Sequence, residues 1–425
     1  MRGGDMLVAD HRFKIHGHTK NRLFFYQTSK KDMISFFSSV MILLHASIAT
    51  DHLRLGQYFS IGILQTILIM LVPFLFSQLS FFYFFRSWVF GSKFTYQGVW
   101  SFVFGPTFKA FPHFLVIYSF LNHTFSLISL IPNLWSKVLT DVWSDVPSIL
   151  VNEWFILYII GFFTMLPFLF VRKVTSLTYA SYAGNFCCAI TIICILVDFF
   201  YHFRNIDFSH IKLFGGSYSD SMSVLYKLNQ AFFIHPLLQL VTEDMENPTN
   251  KRIHNLTWTV NSLKFAIFGG CGILTYIQYY AKYGGFYKGD FMSAYSPRSG
   301  ITIIIEIVTY VNVILTLSFY EFVLANFFID LFVVNKQTGP LTIWSGVSIF
   351  LLNCTIHFTS ENVNHILSII GTVCTCLLVY ILPPIFSLVL YKTKDLTWFI
   401  CGILLLVVSI PLSIMMIANE CQTLT

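Results

Sequence analysis

Charge is scarce in this chain. Asp, Glu, Lys and Arg together make up 11% of the 425 residues, less than half the roughly 25% of an ordinary soluble domain, which excludes a soluble globular protein. Cysteines paired in loops are missing as well. Of nine cysteines, eight fall inside apolar runs (Cys187, Cys188, Cys194, Cys271, Cys354, Cys374, Cys376 and Cys401), and Cys421 lies near the C-terminus. Disulfide frameworks and zinc sites need cysteines paired outside the membrane, so neither is expected. Cys374-x-Cys376 is not CxxC and reads as helix packing. No Walker loop, HExxH or GxSxG occurs, and no stretch between apolar runs is long enough for an enzyme of its own. No catalytic residue, cofactor, metal or nucleic-acid partner is expected.

What the chain has is hydrocarbon: 56% of its residues are hydrophobic, 47 of them Phe. Lipid forces each spanning segment to satisfy its own backbone, which favours helices. The expected fold is therefore an all-α polytopic membrane protein, in contact with membrane lipid. A bilayer core about 30 Å thick needs about 20 apolar residues per helix. On that rule eleven transmembrane helices are predicted, near residues 34–55, 57–85, 109–131, 151–171, 176–200, 221–242, 257–280, 300–326, 341–357, 363–390 and 397–417.

Arg2, Arg12, Lys14, Lys20, Arg22, Lys30 and Lys31 precede the first span. So basic a start argues for a cytoplasmic N-terminus and does not resemble a cleaved signal peptide. With this orientation, sixteen Lys and Arg fall in inner segments and seven in outer ones, the bias that an odd number of spans gives. The expected organisation is a basic cytoplasmic tail, residues 1–32, and an eleven-helix body, residues 33–425. His11, His16 and His18 read as part of the solvated tail rather than a metal tract. The sequons at Asn122, Asn255 and Asn353 fall in or at the edge of spans and read as chance matches.

Chemistry is expected where polar groups enter apolar spans. The stretch 231–252, AFFIHPLLQLVTEDMENPTNKR, carries a His-Pro pair and then an acidic, Pro-containing loop. Proline interrupts the helical ladder, and freed backbone is tolerated in a membrane only when buried in protein or facing a water-filled cavity. Pro236 thus marks either a solute site or a structural kink. Ionisable groups inside spans usually face the bundle interior. Lys227 and Glu306 fall at similar depth, roughly 10 Å below the outer boundary, and either pair, carry a coupling proton, or snorkel. Glu321 and Asp330 read as inner-interface residues, Glu153 and the Asp51, His52 and Arg54 cluster as outer-interface ones, and Lys264 as snorkelling inward. His45, midway along the first span, is either a ligand or proton relay or a satisfied core histidine.

Four pieces resemble, in order, the amino acid/auxin permease family of neutral amino acid transporters: FTYQGVWSFVFGP at 94–106, LPFLFVRKVTSLTYASYAGNF at 166–186, AFFIHPLLQLVTEDMENPTNK at 231–251, and GCGILTY at 270–276. The resemblance implies a LeuT-type architecture, a five-plus-five inverted repeat with an eleventh helix and with helices 1 and 6 interrupted at the membrane centre. It implies an amino acid substrate held by His45, Ala46, Ser47 and Ile48 on helix one and by Phe232, Phe233, Ile234, His235 and Pro236 on helix six. Thr316 aligns near the family's cation-binding threonine; with Glu306 and Lys227 it completes the expected ion-coupling set.

The chain departs from the family in helix one. His45-Ala46-Ser47 stands where the family carries a Gly-small-Gly break, and Met41 stands for a polar Asn. Both changes argue against a sodium site and leave a coupling proton or uniport. The leading reading is an amino acid transporter working by alternating access in a plasma or a vacuolar/lysosomal membrane. The alternative is a diverged, non-transporting sensor or partner-binding membrane protein. A membrane-embedded enzyme using His235 or His45 as general base lacks a nucleophile or acid beside either. Oligomeric state is left open.

Overall fold

The computed structural model describes residues 33–48, 55–88, 95–170, 174–206, 208–280, 299–332, 339–359, 361–391 and 396–422. The chain divides into Met1–Met33 and Ile34–Thr425, and the second unit carries the fold. The basic tail 1–32, the Asp51, His52 and Arg54 cluster and residues 281–298 between the seventh and eighth predicted spans lie outside the described residues.

The helices of eight or more residues are α1 Phe36–Ile48, α2 Ile63–Trp88, α3 Tyr96–Phe104, α4 Ala110–Ile128, α5 Ile131–Val142, α6 Phe162–Leu169, α7 Val174–His202, α8 Tyr218–Ala231, α9 His235–Asp244, α10 Asn250–Thr275, α11 Gly300–Phe332, α12 Gly339–His357, α13 Glu361–Cys376, α14 Leu382–Tyr391 and α15 Leu396–Gln422. A turn of π-helix, Ile156–Gly161, leads into α6, and another, Leu377–Ile381, joins α13 to α14. Among the described residues, seven helical stretches are long and apolar enough to cross a membrane: Ile63–Ser87, Ala110–Val142, Leu177–His202, Asn250–Gln278, Gly300–Ile329, Ile366–Leu390 and Leu396–Asn419. Three shorter apolar ones are Phe36–Ile48, Glu153–Phe168 and Ile343–His357. The sixth predicted span is absent from this set because it is divided into α8 and α9.

The segment 132–150, between the third and fourth predicted spans, is largely helical. Ile131–Val142 continues from α4, with Pro132 in its first turn where proline costs nothing. Side-chain caps set other boundaries. Ser217 and Asp220 form a reciprocal capping box that starts α8, and the Thr249 side chain accepts from Arg252 N to start α10.

Two packing groups form the body. In one, α11 packs along α4, α5, α6, α7 and α12. In the other, α2 packs on α8, α10 and α14. α1 lies against α7 and α10, and so meets both. The loop after α9 ties the two elements nearest the site together. Ile34 N donates to Asp244 O (2.8 Å) and Glu246 N to Ile34 O (2.9 Å). Asn247 then reverses the chain with φ 51°, a left-handed conformation that Asn tolerates better than most residues.

Candidate functional site

The break in helix six lies three residues before the proline that signals it. α8 closes with Phe232 N donating to Leu228 O (3.0 Å) and Phe233 N to Gln230 O (3.1 Å). Ile234, at φ −130° and ψ 2°, lies outside helix geometry, and Leu238 N to Ile234 O (3.0 Å) opens α9. Pro236 sits in the first turn of α9, where its missing N–H belongs to the unpaired set in any case. The break thus sets the C-terminal carbonyls of α8 close to the N-terminal N–H groups of α9, partial charges of opposite sign.

Helix one is different. His45, Ala46, Ser47 and Ile48 are all helical within α1, so the interruption implied at those positions is not there. Residues 49–54 lie outside the described set. What opens α1 to other partners is its end: the Ala46 carbonyl accepts from Tyr320 Oη of α11 at 2.8 Å.

A cavity of about 250 Å³ lies where these elements meet. Ala46 and Ser47 of α1 and Tyr58 line it from one side, and Asn122, His123 and Ser126 of α4 from another. Tyr226, Lys227 and Gln230 of α8 line it with Phe233 of the break, Tyr320 of α11 and Ser368 of α13. Its walls carry hydroxyl, amide and aromatic groups, with Leu127 and Leu130 of the α4 end adding an aliphatic patch. Tyr226 Oη and Ser368 Oγ lie 2.5 Å apart. Gln230 Oε1 accepts from Thr375 Oγ1 at 3.3 Å, whereas Gln230 Nε2 is buried with no partner among the described residues. A buried amide donor left unpaired costs about 1–3 kcal/mol, and a bound acceptor in the cavity would recover it.

Of the residues the resemblance implied, Ala46, Ser47, Phe233 and Lys227 are on this wall. His45, Ile48, Phe232, Ile234, His235 and Pro236 are buried and do not line it. The two histidines are held alike. Thr316 Oγ1 gives its proton to Asn312 O (2.8 Å) and so accepts from His45 Nε2–H at 3.0 Å. Ser80 Oγ gives its proton to Val379 O and accepts from His235 Nε2–H at 3.0 Å. The His235 ring also stacks on Phe81 with centroids 3.8 Å apart. Each imidazole joins two helices through one hydroxyl, α1 to α11 and α9 to α2.

Two expectations about charge are corrected. Lys264 does not snorkel: it is fully buried, with Nζ 4.9 Å from the Phe232 ring centre at the break, a cation–π geometry. Glu321 is not interfacial: it is fully buried on α11, with Asn353 Nδ2 3.5 Å from Oε1. Glu306 is buried on the same helix, and Lys227 Nζ lies 5.7 Å from the Tyr58 ring centre. Asn122, His123, Tyr226, Gln230, Tyr320 and Ser368 were not anticipated. The adjacent polar pair Asn122-His123 in a span was the available signal, and it read as part of a chance sequon.

The comparisons with known proteins bear on the family and the fold. The family described as transmembrane amino acid transporter protein matches residues 32–419, and the chain belongs to that family. No curated protein matches the sequence. Among solved structures, the crystal structure of MhsT in complex with L-phenylalanine is similar at a TM-score of 0.55, covering 90% of this chain and 98% of that one at 11% identity. At that identity the likeness is one of fold, the LeuT-type fold. The chain is an integral membrane protein of amino acid transport, and its family and fold are those of transporters rather than enzymes.

Proposed function

We propose that the cavity at the break between α8 and α9 is the substrate site of a secondary amino acid transporter. The observation that carries this reading is the meeting of that break with the last turn of α1 around a cavity holding an unpaired buried donor, Gln230 Nε2. Gln230 Nε2 on the wall would donate to the substrate carboxylate, and the N-terminal end of α9 behind the wall would add its positive partial charge. Ser47 and the end of α1 would face the ammonium. Phe233, Tyr58, Tyr226 and Tyr320 would flank an apolar side chain. MhsT was captured with L-phenylalanine, which makes that amino acid the first to test here.

Transport would proceed by alternating access, with one packing group moving against the other around the cavity. The finer architecture in this reading is eleven helices in a five-plus-five inverted repeat, with the basic tail 1–32 cytoplasmic and residues 33–425 forming the transporter. The membrane is a plasma or a vacuolar/lysosomal one. Coupling is to a proton or absent. The hydroxyl of Thr316 is engaged by His45, which supports independence from sodium, while Glu306 is the intramembrane acid proposed for coupling and Lys227 its proposed counter-charge.

The test is uptake of radiolabelled neutral and cationic amino acids into proteoliposomes, with and without a pH gradient. Uptake unaffected by sodium is expected, with Gln230→Leu weakening it. Absence of uptake for every amino acid tried would refute transport and favour a sensor.

A further inference from the structure

The π turn Leu377–Ile381 in the tenth predicted span is followed by Pro383-Pro384. Neither proline has an N–H, so the carbonyls of Val379 and Tyr380 lose the donor four residues on. Leu382 N reaches back five residues to Leu377 O instead of four, which leaves Leu378 O open as well. All three residues are buried, and buried carbonyls need donors. Each is met by a hydroxyl from another helix. Tyr96 Oη of α3 donates to Leu378 O at 2.7 Å and Ser80 Oγ of α2 donates to Val379 O. Ser409 Oγ of α15 lies 3.5 Å from Tyr380 O.

The same turn holds helix six on both sides of its break. On the α9 side, His235 Nε2–H donates to Ser80 Oγ at 3.0 Å, so one hydroxyl joins the start of α9 to Val379 O. On the α8 side, Tyr380 Oη donates to Asn229 Oδ1, and Asn229 Nδ2 lies 3.9 Å from Cys376 Sγ. Asn229 is the residue before Gln230, whose Oε1 accepts from Thr375 Oγ1 just ahead of the turn. The turn also stands between the packing groups: α13 before it packs on α4, and α14 after it packs on α2. π turns within helices recur at functional positions, and here the freed carbonyls and one phenol fasten both ends of the break to a single point.

We propose that the π turn Leu377–Ile381 is the anchor that sets the two halves of helix six around the cavity, with Tyr380 as the positioning residue for Gln230. The inference rests on the cavity being the substrate site, and it names what holds the cavity's amide donor in place. Tyr380 does not line the cavity; it acts through Asn229, one residue before Gln230. Tyr96 supplies the contrast. Its phenol fills a carbonyl of the same turn, but its ring packs on Phe84 of α2 and Phe386 of α14, and among the described residues it is not bonded to helix six.

The test compares Tyr380→Phe with Tyr96→Phe in the full-length protein, since each deletes one phenol oxygen that bonds at or through the turn. L-phenylalanine binding in detergent is expected to weaken about tenfold in Tyr380→Phe, the worth of one hydrogen bond, and to stay at the wild-type level in Tyr96→Phe, although both melt at lower temperature. In a Gln230→Leu background, Tyr380→Phe is expected to cause no further loss of affinity, because the group it positions is gone. Asn229→Leu removes the same bond from its other end and gives the same reading if Tyr380→Phe does not fold. Equal losses of affinity in the two Tyr→Phe variants, or an undiminished loss in the Gln230→Leu background, would overturn the anchor. A cysteine placed at Ser126 on the cavity wall reports without ligand: its maleimide labelling rate, read by mass spectrometry, is expected to change in Tyr380→Phe and not in Tyr96→Phe. If no amino acid binds even the wild type, the substrate reading fails, and the labelling still decides: rates changed alike in both variants, or in neither, would overturn the anchor.

Discussion

A methyl group added at Gly184 would lie 2.0 Å from His45 Nε2. The absence of a side chain on α7 is what lets the His45 ring reach Thr316. Gly184→Ala is expected to overpack this contact and destabilise by about 1–3 kcal/mol, read as a lower melting temperature in detergent. Because the clash is with one side chain, His45→Ala in the same molecule is expected to relieve much of it. Additive losses in the double variant would show that the methyl group strikes something else. Gln230→Leu keeps the shape of the wall and removes the unpaired Nε2 donor together with the Oε1 acceptor of Thr375. L-phenylalanine affinity is expected to fall about tenfold with little change in melting temperature, measured by equilibrium binding. At this scale sequence and structure part company most. His45 and His235 stand out in the sequence as polar groups in apolar runs, yet each finds a hydroxyl and is buried without lining the cavity. Gln230 and Tyr320 line the cavity without looking exceptional in sequence, because an amide or a phenol in a span is ordinary until its neighbours are known.

The elements around the site are held by local devices that the sequence does spell out. The Asp244-Met245-Glu246 and Asn247-Pro248 run is read by the fold as a bridge to Ile34 followed by a reversal at Asn247 and a cap at Thr249. Asn247→Gly is expected to be near neutral. Asn247→Val forces a β-branched residue into positive φ and is expected to cost about 1–2 kcal/mol, checked by thermal unfolding and by faster amide exchange at Glu246, whose N–H bonds Ile34 O. Element ends explain the two misplaced charges. α10 starts at Asn250 rather than near 257, so Lys264 is its fifteenth residue and not two turns from an end. α11 runs on to Phe332, which leaves Glu321 eleven residues inside it. Apolar windows locate a helix by its lipid-facing run and miss the polar turns at its ends, so depth counted from them is too shallow.

For the whole molecule, the proposed topology makes a simple demand. With eleven spans and a cytoplasmic tail, epitope tags at the two ends are expected on opposite faces of the membrane, the N-terminal one reached by antibody only after the membrane is permeabilised. Tags on the same face would require an even number of spans and would undo the charge bias from which the orientation was argued. The family match over residues 32–419 and the fold likeness to MhsT fix the kind of machine; orientation, membrane and coupling are what these experiments would add.

Hydrocarbon demands segments that satisfy their own backbone, so composition and run length alone were enough to mark this chain as a helical membrane protein. The His-Pro pair was enough to mark a broken sixth helix, because the backbone chemistry of proline is local. The cavity is not local. It draws on α1, α4, α8, α11 and α13, with the Tyr320 to Ala46 bond linking residues 274 positions apart. Which polar groups face one another, and which histidine finds a hydroxyl on a neighbouring helix, depends on helix rotation and packing between distant segments. Only the tertiary structure decides that.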